Sequence, residues 1–168
     1  VFAGNHIHCL LSCEPVPTPA VMFLSKELGN DFGVMITASH NPYSFNGVKV
    51  FQQDGMDADV SLTDEIEREI ARLRKIRKTE KFEEGYGQYV SVVSFLDLYL
   101  ESVGKFISPE IQGSSIKVLF DAIYGTGSLT MKRLAKKYGW KNFHAIRSAH
   151  DAWFHGELPN PTRANMMK

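Results

Sequence analysis

Apolar residues along the chain recur at two spacings, one suited to strands and one to helices. Ile7 to Leu11 is a short apolar run that predicts a strand, with His6-Ile7-His8 leading in. Glu14-Pro15-Val16-Pro17-Thr18-Pro19 breaks it, because proline has no amide to give a ladder. Thr18 followed by Pro19 predicts a helix cap and a first-turn proline. Ala20-Val21-Met22-Phe23-Leu24 and Leu28 give that helix an apolar face, and Gly29-Asn30 stops it. Phe32 to Thr37 is almost continuously apolar, as in a strand covered on both faces. Gly47-Val48-Lys49-Val50-Phe51 alternates and predicts the next strand.

A helix is then predicted to start at Ser61 or Thr63, with Ser61 and Asp64 as a capping box. Ile66, Ile70 and Leu73 share one side and are expected to face the sheet. Thr79 to Gly87 is polar and predicts a loop. Tyr89 to Phe106 carries Val92, Phe95, Leu96, Tyr99, Leu100 and Val103 at helical intervals, which predicts one long helix. Ser108-Pro109-Glu110-Ile111-Gln112-Gly113 is linker-like and places a boundary near residue 110. A second unit follows: a strand over Ile116 to Phe120, a helix over Leu129 to Tyr138 and a short strand over Phe143 to Ile146. His150 to Lys168 looks like loop. The class expected is α/β, a mixed sheet covered by helices over 1–110, with the beginning of a second similar unit over 111–168.

Composition narrows the function. The 168 residues carry 19 Lys plus Arg and 19 Asp plus Glu, so there is no basic excess of the kind a nucleic-acid-binding domain shows. The cluster Arg68, Arg72, Arg74, Lys75, Arg77, Lys78 is interleaved with glutamates and fits a solvated helix face. No segment is apolar enough to cross a bilayer, and the start at Val1 lacks a signal-peptide core. Without an initiator methionine, the chain is expected to be an excised piece. Cys9 and Cys13 form no disulfide framework and fit free thiols in a reducing cytoplasm. A metal pair with His6 or His8 is a weaker reading. His144, His150 and His155 are too scattered for zinc. Trp140 and Trp153 are expected to be packing residues, and Asp121 a turn cap.

The chemistry gathers after the second apolar run, in Thr37-Ala38-Ser39-His40-Asn41-Pro42 and on through Asn46-Gly47-Val48-Lys49. A free serine is a weak nucleophile, and no Gly-x-Ser-x-Gly elbow surrounds Ser39, which disfavours a hydrolase. A phosphorylated Ser39 would carry close to two negative charges and three strong acceptors. Lys49 can supply a cation, His40 can orient the loop or touch the phosphate, and Pro42 stiffens the turn. From these residues alone the plainer reading stays the heavier one: a turn serine, a structural histidine and a solvated lysine.

The same residues closely resemble the active-site signature of the α-D-phosphohexomutases, which include phosphoglucomutase, phosphomannomutase and phosphoglucosamine mutase. Pro17-Thr18-Pro19, Phe120-Asp121 with Gly125-Thr126-Gly127, and Asp151, Phe154-His155-Gly156 and Pro159-Asn160-Pro161 resemble further family segments in the same order. The resemblance implies that Ser39 carries a phosphate and ligates Mg²⁺, and that His40 and Lys49 belong to the active site. It implies interconversion of hexose 1-phosphate and hexose 6-phosphate, glucose or mannose, through a hexose 1,6-bisphosphate. It also implies four domains around a cleft. The triple-aspartate magnesium loop, the sugar loop and the phosphate-binding loop are absent from this stretch. The remaining domains of a parent enzyme are thus expected partners, and the isolated chain is expected to turn over little or no substrate. The alternatives are phosphoglucosamine mutase and a non-catalytic sugar-phosphate-binding domain.

Overall fold

The computed structural model of the chain describes residues 1–76 and 86–167. Among the described residues six strands pair as three two-stranded ladders. Strands β1 (Cys9–Ser12) and β4 (Val90–Val93) run parallel, Cys9 opposite Val90 and Ser12 opposite Val93. Strands β2 (Phe32–Ile36) and β3 (Val48–Gln52) run antiparallel, from Phe32 opposite Gln52 to Ile36 opposite Val48. Strands β5 (Lys117–Asp121) and β6 (Asn142–Ile146) are parallel again. The helices are α1 (Thr18–Glu27), α2 (Val60–Lys75), α3 (Phe95–Gly104), α4 (Gly127–Lys137) and the short α5 (Arg163–Met166). Both pairing senses and the helical cover agree with the α/β class expected above.

One hydrophobic cluster holds these parts together. Val16, Ala20 and Val21 meet Phe51, Leu96 and Leu100, and Leu134 of α4 joins the same cluster. Phe51 and Leu96 are wholly buried. Two glycines let α1 come close to its ladder. A Cβ on Gly33 would stand 2.1 Å from Ser25 Oγ, and one on Gly55 would stand 2.4 Å from the Met22 carbonyl oxygen. Gly55 also has φ +83, a left-handed value that glycine adopts without steric cost.

Several boundaries differ from expectation. The predicted helix from Tyr89 to Phe106 divides: Tyr86–Tyr89 is a 3-10 turn, Val90–Val93 is strand β4, and only Phe95–Gly104 is helix. Three valines in four positions favour a strand once β1 offers a ladder. Ser94 then caps α3, its hydroxyl accepting from the Asp97 amide. Helix α2 begins earlier than Ser61, because Asp59 accepts from the Leu62 amide at 2.9 Å and from the Ser61 hydroxyl at 2.8 Å. The charged acceptor two residues upstream takes the capping role from Ser61.

No residue of α2 is buried, and Ile70 is exposed, so the expected packing of Ile66, Ile70 and Leu73 on the sheet is only partial. Periodicity marks an apolar side but cannot tell what covers it. Likewise Phe32 and Ile36 of β2 are exposed, against the expectation of cover on both faces. The cap of α1 is Pro17 rather than Thr18. The first strand starts at Cys9 and not Ile7, and the tail over 150–167 holds a 3-10 turn (Phe154–Gly156) and α5 where loop was expected. Most of the polar stretch Thr79 to Gly87, with Arg77 and Lys78, lies outside the described residues.

Candidate functional site

The segment between β2 and β3 forms an exposed loop whose shape is set by its own backbone. The ladder continues one step past Ile36, where the Thr37 amide donates to the Gly47 carbonyl at 3.0 Å. Beyond that the strands part. Asn41 N–H closes a turn on the Ala38 carbonyl at 3.0 Å, Phe45 N–H closes a second on Pro42 at 2.9 Å, and the Asn46 side chain accepts from the Gly47 amide. Ser39 sits at the first bend with φ 57, an uncommon left-handed value for a residue with a Cβ. Its amide is held by the Thr37 hydroxyl at 3.0 Å. That bond satisfies the amide locally and leaves the serine side chain on the outside.

The structure brings two of the three sequence-derived residues into direct contact. Ser39 Oγ lies 3.2 Å from His40 Nδ1, both exposed. Lys49 stands on β3 opposite Met35. Its ammonium faces the Asp57 carboxylate at 3.6 Å rather than Ser39. The lysine side chain is 42% exposed, so this is a loose surface pair worth little on its own.

The far side of the loop meets the second unit. The Tyr43 ring lies 4.8 Å from the Trp153 ring, tilted by 37°. Trp153, expected to be a packing residue, is in fact 64% exposed, whereas Trp140 does pack against the core cluster. Asp151 orders the turn that carries Trp153, accepting from the Trp153 amide at 2.9 Å and the His155 amide at 3.0 Å. Those bonds, the Trp153 amide first, hold the Asp151 carboxyl below its ordinary pKa.

Two groups escaped the sequence reading. Asp121 does cap its turn, accepting from the Ile123 amide, but it also pairs with Arg147, which reaches Glu157 at 2.7 Å and the Asn165 carbonyl at 3.1 Å. Glu14 accepts from Ser94 Oγ and the Leu96 amide, each at 3.0 Å, joining the end of β1 to the start of α3. A lone charged residue at a strand end is the signal in both cases. Its partner lies too far along the chain to be inferred.

Magnesium needs several oxygen ligands in near-octahedral array. The loop over 38–46 carries hydroxyls and amide oxygens but no carboxylate, and the described residues hold no group of three or more His, Cys, Asp or Glu able to hold a metal. The residues present therefore do not make a magnesium site by themselves. Cys9 and Cys13 are free thiols. A cavity of about 320 Å³ lies between Pro15 and the start of α4, apart from Ser39, His40 and Lys49. Among the described residues no helix is long and apolar enough to cross a membrane.

Residues 1–77 match the family described as phosphoglucomutase/phosphomannomutase, alpha/beta/alpha domain I. A protein from Thermus thermophilus assigned as a phosphomannomutase superposes on 98% of the chain with TM-score 0.76 and 26% identity. The chain belongs to the phosphoglucomutase/phosphomannomutase superfamily as a partial match, over its domain I region. Parafusin, a phosphoglucomutase from Paramecium in its open form, shares the fold over 96% of this superfamily chain with TM-score 0.75 at 16% identity. The two solved chains are covered to 36% and 34% of their lengths. Among curated proteins, a phosphopentomutase from Thermococcus kodakarensis is 35% identical over 159 residues, 94% of this chain and 33% of that protein. A phosphoglucosamine mutase from Thermodesulfovibrio yellowstonii is 35% identical over 120 residues, 62% of this chain and 26% of that protein. The chain thus spans a third or less of the length of these curated relatives.

Proposed function

We propose that this chain is the phosphoryl-carrying portion of a sugar-phosphate mutase, interconverting hexose 1-phosphate and hexose 6-phosphate, with Ser39 as the carrier. The observation that carries this reading is the presentation of Ser39. A left-handed bend directly after a strand puts its hydroxyl on the outside of the loop, 3.2 Å from an imidazole nitrogen. Superfamily membership supports the reaction class.

In the proposed cycle phosphorylated Ser39 gives its phosphoryl group to a free hydroxyl of the bound hexose phosphate. The P–Oγ bond breaks, a P–O bond to the sugar forms, and the hydroxyl proton returns to Ser39 Oγ. The product is a hexose 1,6-bisphosphate. It reorients, and Ser39 Oγ attacks the other phosphate: a P–Oγ bond re-forms, the P–O bond to the sugar breaks, and the departing sugar oxygen takes up a proton as the isomeric hexose phosphate is released. His40 Nδ1, within hydrogen-bond distance of Oγ, is the proposed acceptor of the serine proton in that second step. Lys49 is the proposed counter-charge to the transferring phosphoryl group. Its weak tie to Asp57 leaves it able to swing toward a phosphate of nearly two charges.

Ser39, once phosphorylated, is the magnesium ligand proposed from this chain; carboxylate ligands would come from the remaining domains of the full-length protein. A boundary near residue 110 and a reducing cytoplasm complete the proposal, the latter supported by two free thiols. Phosphoglucosamine mutase is the second reading, favoured by relatives of that name at 33% to 37% identity.

The test is phosphate mapping and turnover on the full-length protein with glucose 1,6-bisphosphate and Mg²⁺, assayed against glucose, mannose, glucosamine and ribose phosphates. The expected result is a phosphate on Ser39 and loss of both adduct and turnover in Ser39→Ala. Full activity of Ser39→Ala overturns the assignment.

A further inference from the structure

The serine loop touches the second unit through two rings that both remain largely open to solvent. Tyr43 is 50% and Trp153 64% exposed, yet their centroids lie 4.8 Å apart. Tyr43 follows Pro42 directly, inside the turn closed by the Phe45–Pro42 hydrogen bond, so its position and that of the Ser39 bend are tied through a short, hydrogen-bonded stretch.

Trp153 is presented on a stiff and strained support. Phe154 and His155 have φ 51 and 49, left-handed values that bulky residues rarely adopt. The Asp151 carboxylate holds this turn through two amides, the Asp151 amide donates to the Tyr124 carbonyl, and the His155 ring stacks on Tyr124 at 4.3 Å. Tyr124 in turn donates its amide to the Arg147 carbonyl. Strain of this kind persists only where surrounding structure over-determines it, and it gathers at functional sites. Here it directs one indole away from its own unit and onto the loop of another.

Resting on the function proposed above, we infer that Trp153 is a positioning residue for the phosphoryl carrier, docking on Tyr43 to hold the Ser39 loop in its transfer geometry. Phosphoryl transfer leaves the protein little covalent work beyond placement and charge stabilisation. A carrier loop that drifts therefore loses rate, while a substrate held by other contacts keeps its affinity. Stacking between exposed rings also suits a contact that must form and release as the bisphosphate turns over, since no buried polar group has to be desolvated each time.

The test compares wild type, Trp153→Ala, Trp153→Phe and Tyr43→Leu in the full-length protein, with native circular dichroism as the condition for comparison. Trp153→Ala is expected to lower kcat about tenfold with KM held within about twofold, since misplacing a reacting group costs rate. Trp153→Phe is expected to restore most of it, and Tyr43→Leu to match Trp153→Ala. Should Trp153→Ala fail to fold, Tyr43→Leu on the exposed loop carries the test. A second readout is the emission of Trp153 itself, taken as the difference between wild type and Trp153→Phe. Phosphorylation at Ser39 is expected to shift that difference spectrum, and Tyr43→Leu to abolish the shift. Wild-type kcat in natively folded Trp153→Ala and Tyr43→Leu overturns the inference. A wild type that neither accepts phosphate at Ser39 nor turns over removes the proposed function itself, and this inference with it.

Discussion

Arg147, just past β6, grips Asp121 at the end of β5 through both carboxylate oxygens, its Nε 2.9 Å from Oδ1 and its Nη2 on Oδ2. The two side chains are 15% and 11% exposed, so neither has much water to fall back on. Removing the cation leaves a mostly buried carboxylate unpaired. Arg147→Met is expected to cost about 3 kcal/mol of stability, read as a lower urea midpoint. The Arg147 hydrogen bond outweighs burial and holds Asp121 below the usual carboxylate range. A depressed folded-state pKa gives stability that is present above the unfolded value of about 3.9 and lost as pH falls through the folded value. Asp121→Asn lacks that component, so its midpoint should fall less than wild type on acidification.

The Cys13 thiol donates to Glu14 Oε2 at 3.0 Å. That hydrogen bond, then burial and the charge of Glu14, raise the thiol's pKa. Less thiolate at neutral pH means slower alkylation, because the thiolate is the nucleophile. Glu14→Gln removes the negative charge and is expected to speed iodoacetamide labelling of Cys13 severalfold. Peptide mapping separates Cys13 from Cys9. An unchanged Cys13 rate would count against this coupling.

Gly55 combines φ +83 with a Cβ position 2.4 Å from a backbone oxygen of α1. Backbone cannot yield as a side-chain tip can. Gly55→Ala is expected to destabilise by about 3 kcal/mol, the left-handed penalty and overpacking together, and to lower the thermal midpoint accordingly.

Ser39 has φ 57 and no buried contact to lose. Ser39→Gly removes the left-handed penalty that Ser39→Ala retains. The glycine variant is expected to be the more stable of the two by about 1 kcal/mol in urea titration, although both lose the proposed phosphate acceptor. Equal midpoints would show that the bend carries no strain.

The serine loop was legible because its punctuation is local: an apolar run, a bend and a proline in succession. The helices around Ala20 and Leu134 were legible for the same reason, each apolar stripe being bounded by its own stop. Val90–Val93 was not. Four residues match a strand period and a helix period almost equally well, and the deciding partner, Cys9–Ser12, lies at the other end of the first unit. Lys49 was singled out from its distance to Ser39 along the chain, yet its charge faces Asp57 instead. Spacing along a hairpin does not tell which way a long side chain turns.

Taken alone, the order of residues determined the α/β alternation, the bend that exposes one hydroxyl after an apolar strand, and the places where helices stop. These follow from forces acting over a turn or two of chain: missing amides, φ preferences and capping acceptors. Only the tertiary structure decided that three valines would become a strand, that α2 would bury none of its residues fully, that Arg147 would close on Asp121, and that Trp153 would reach Tyr43. Each depends on which surfaces come into contact, and contact between distant segments is governed by burial and packing rather than by any neighbour in sequence.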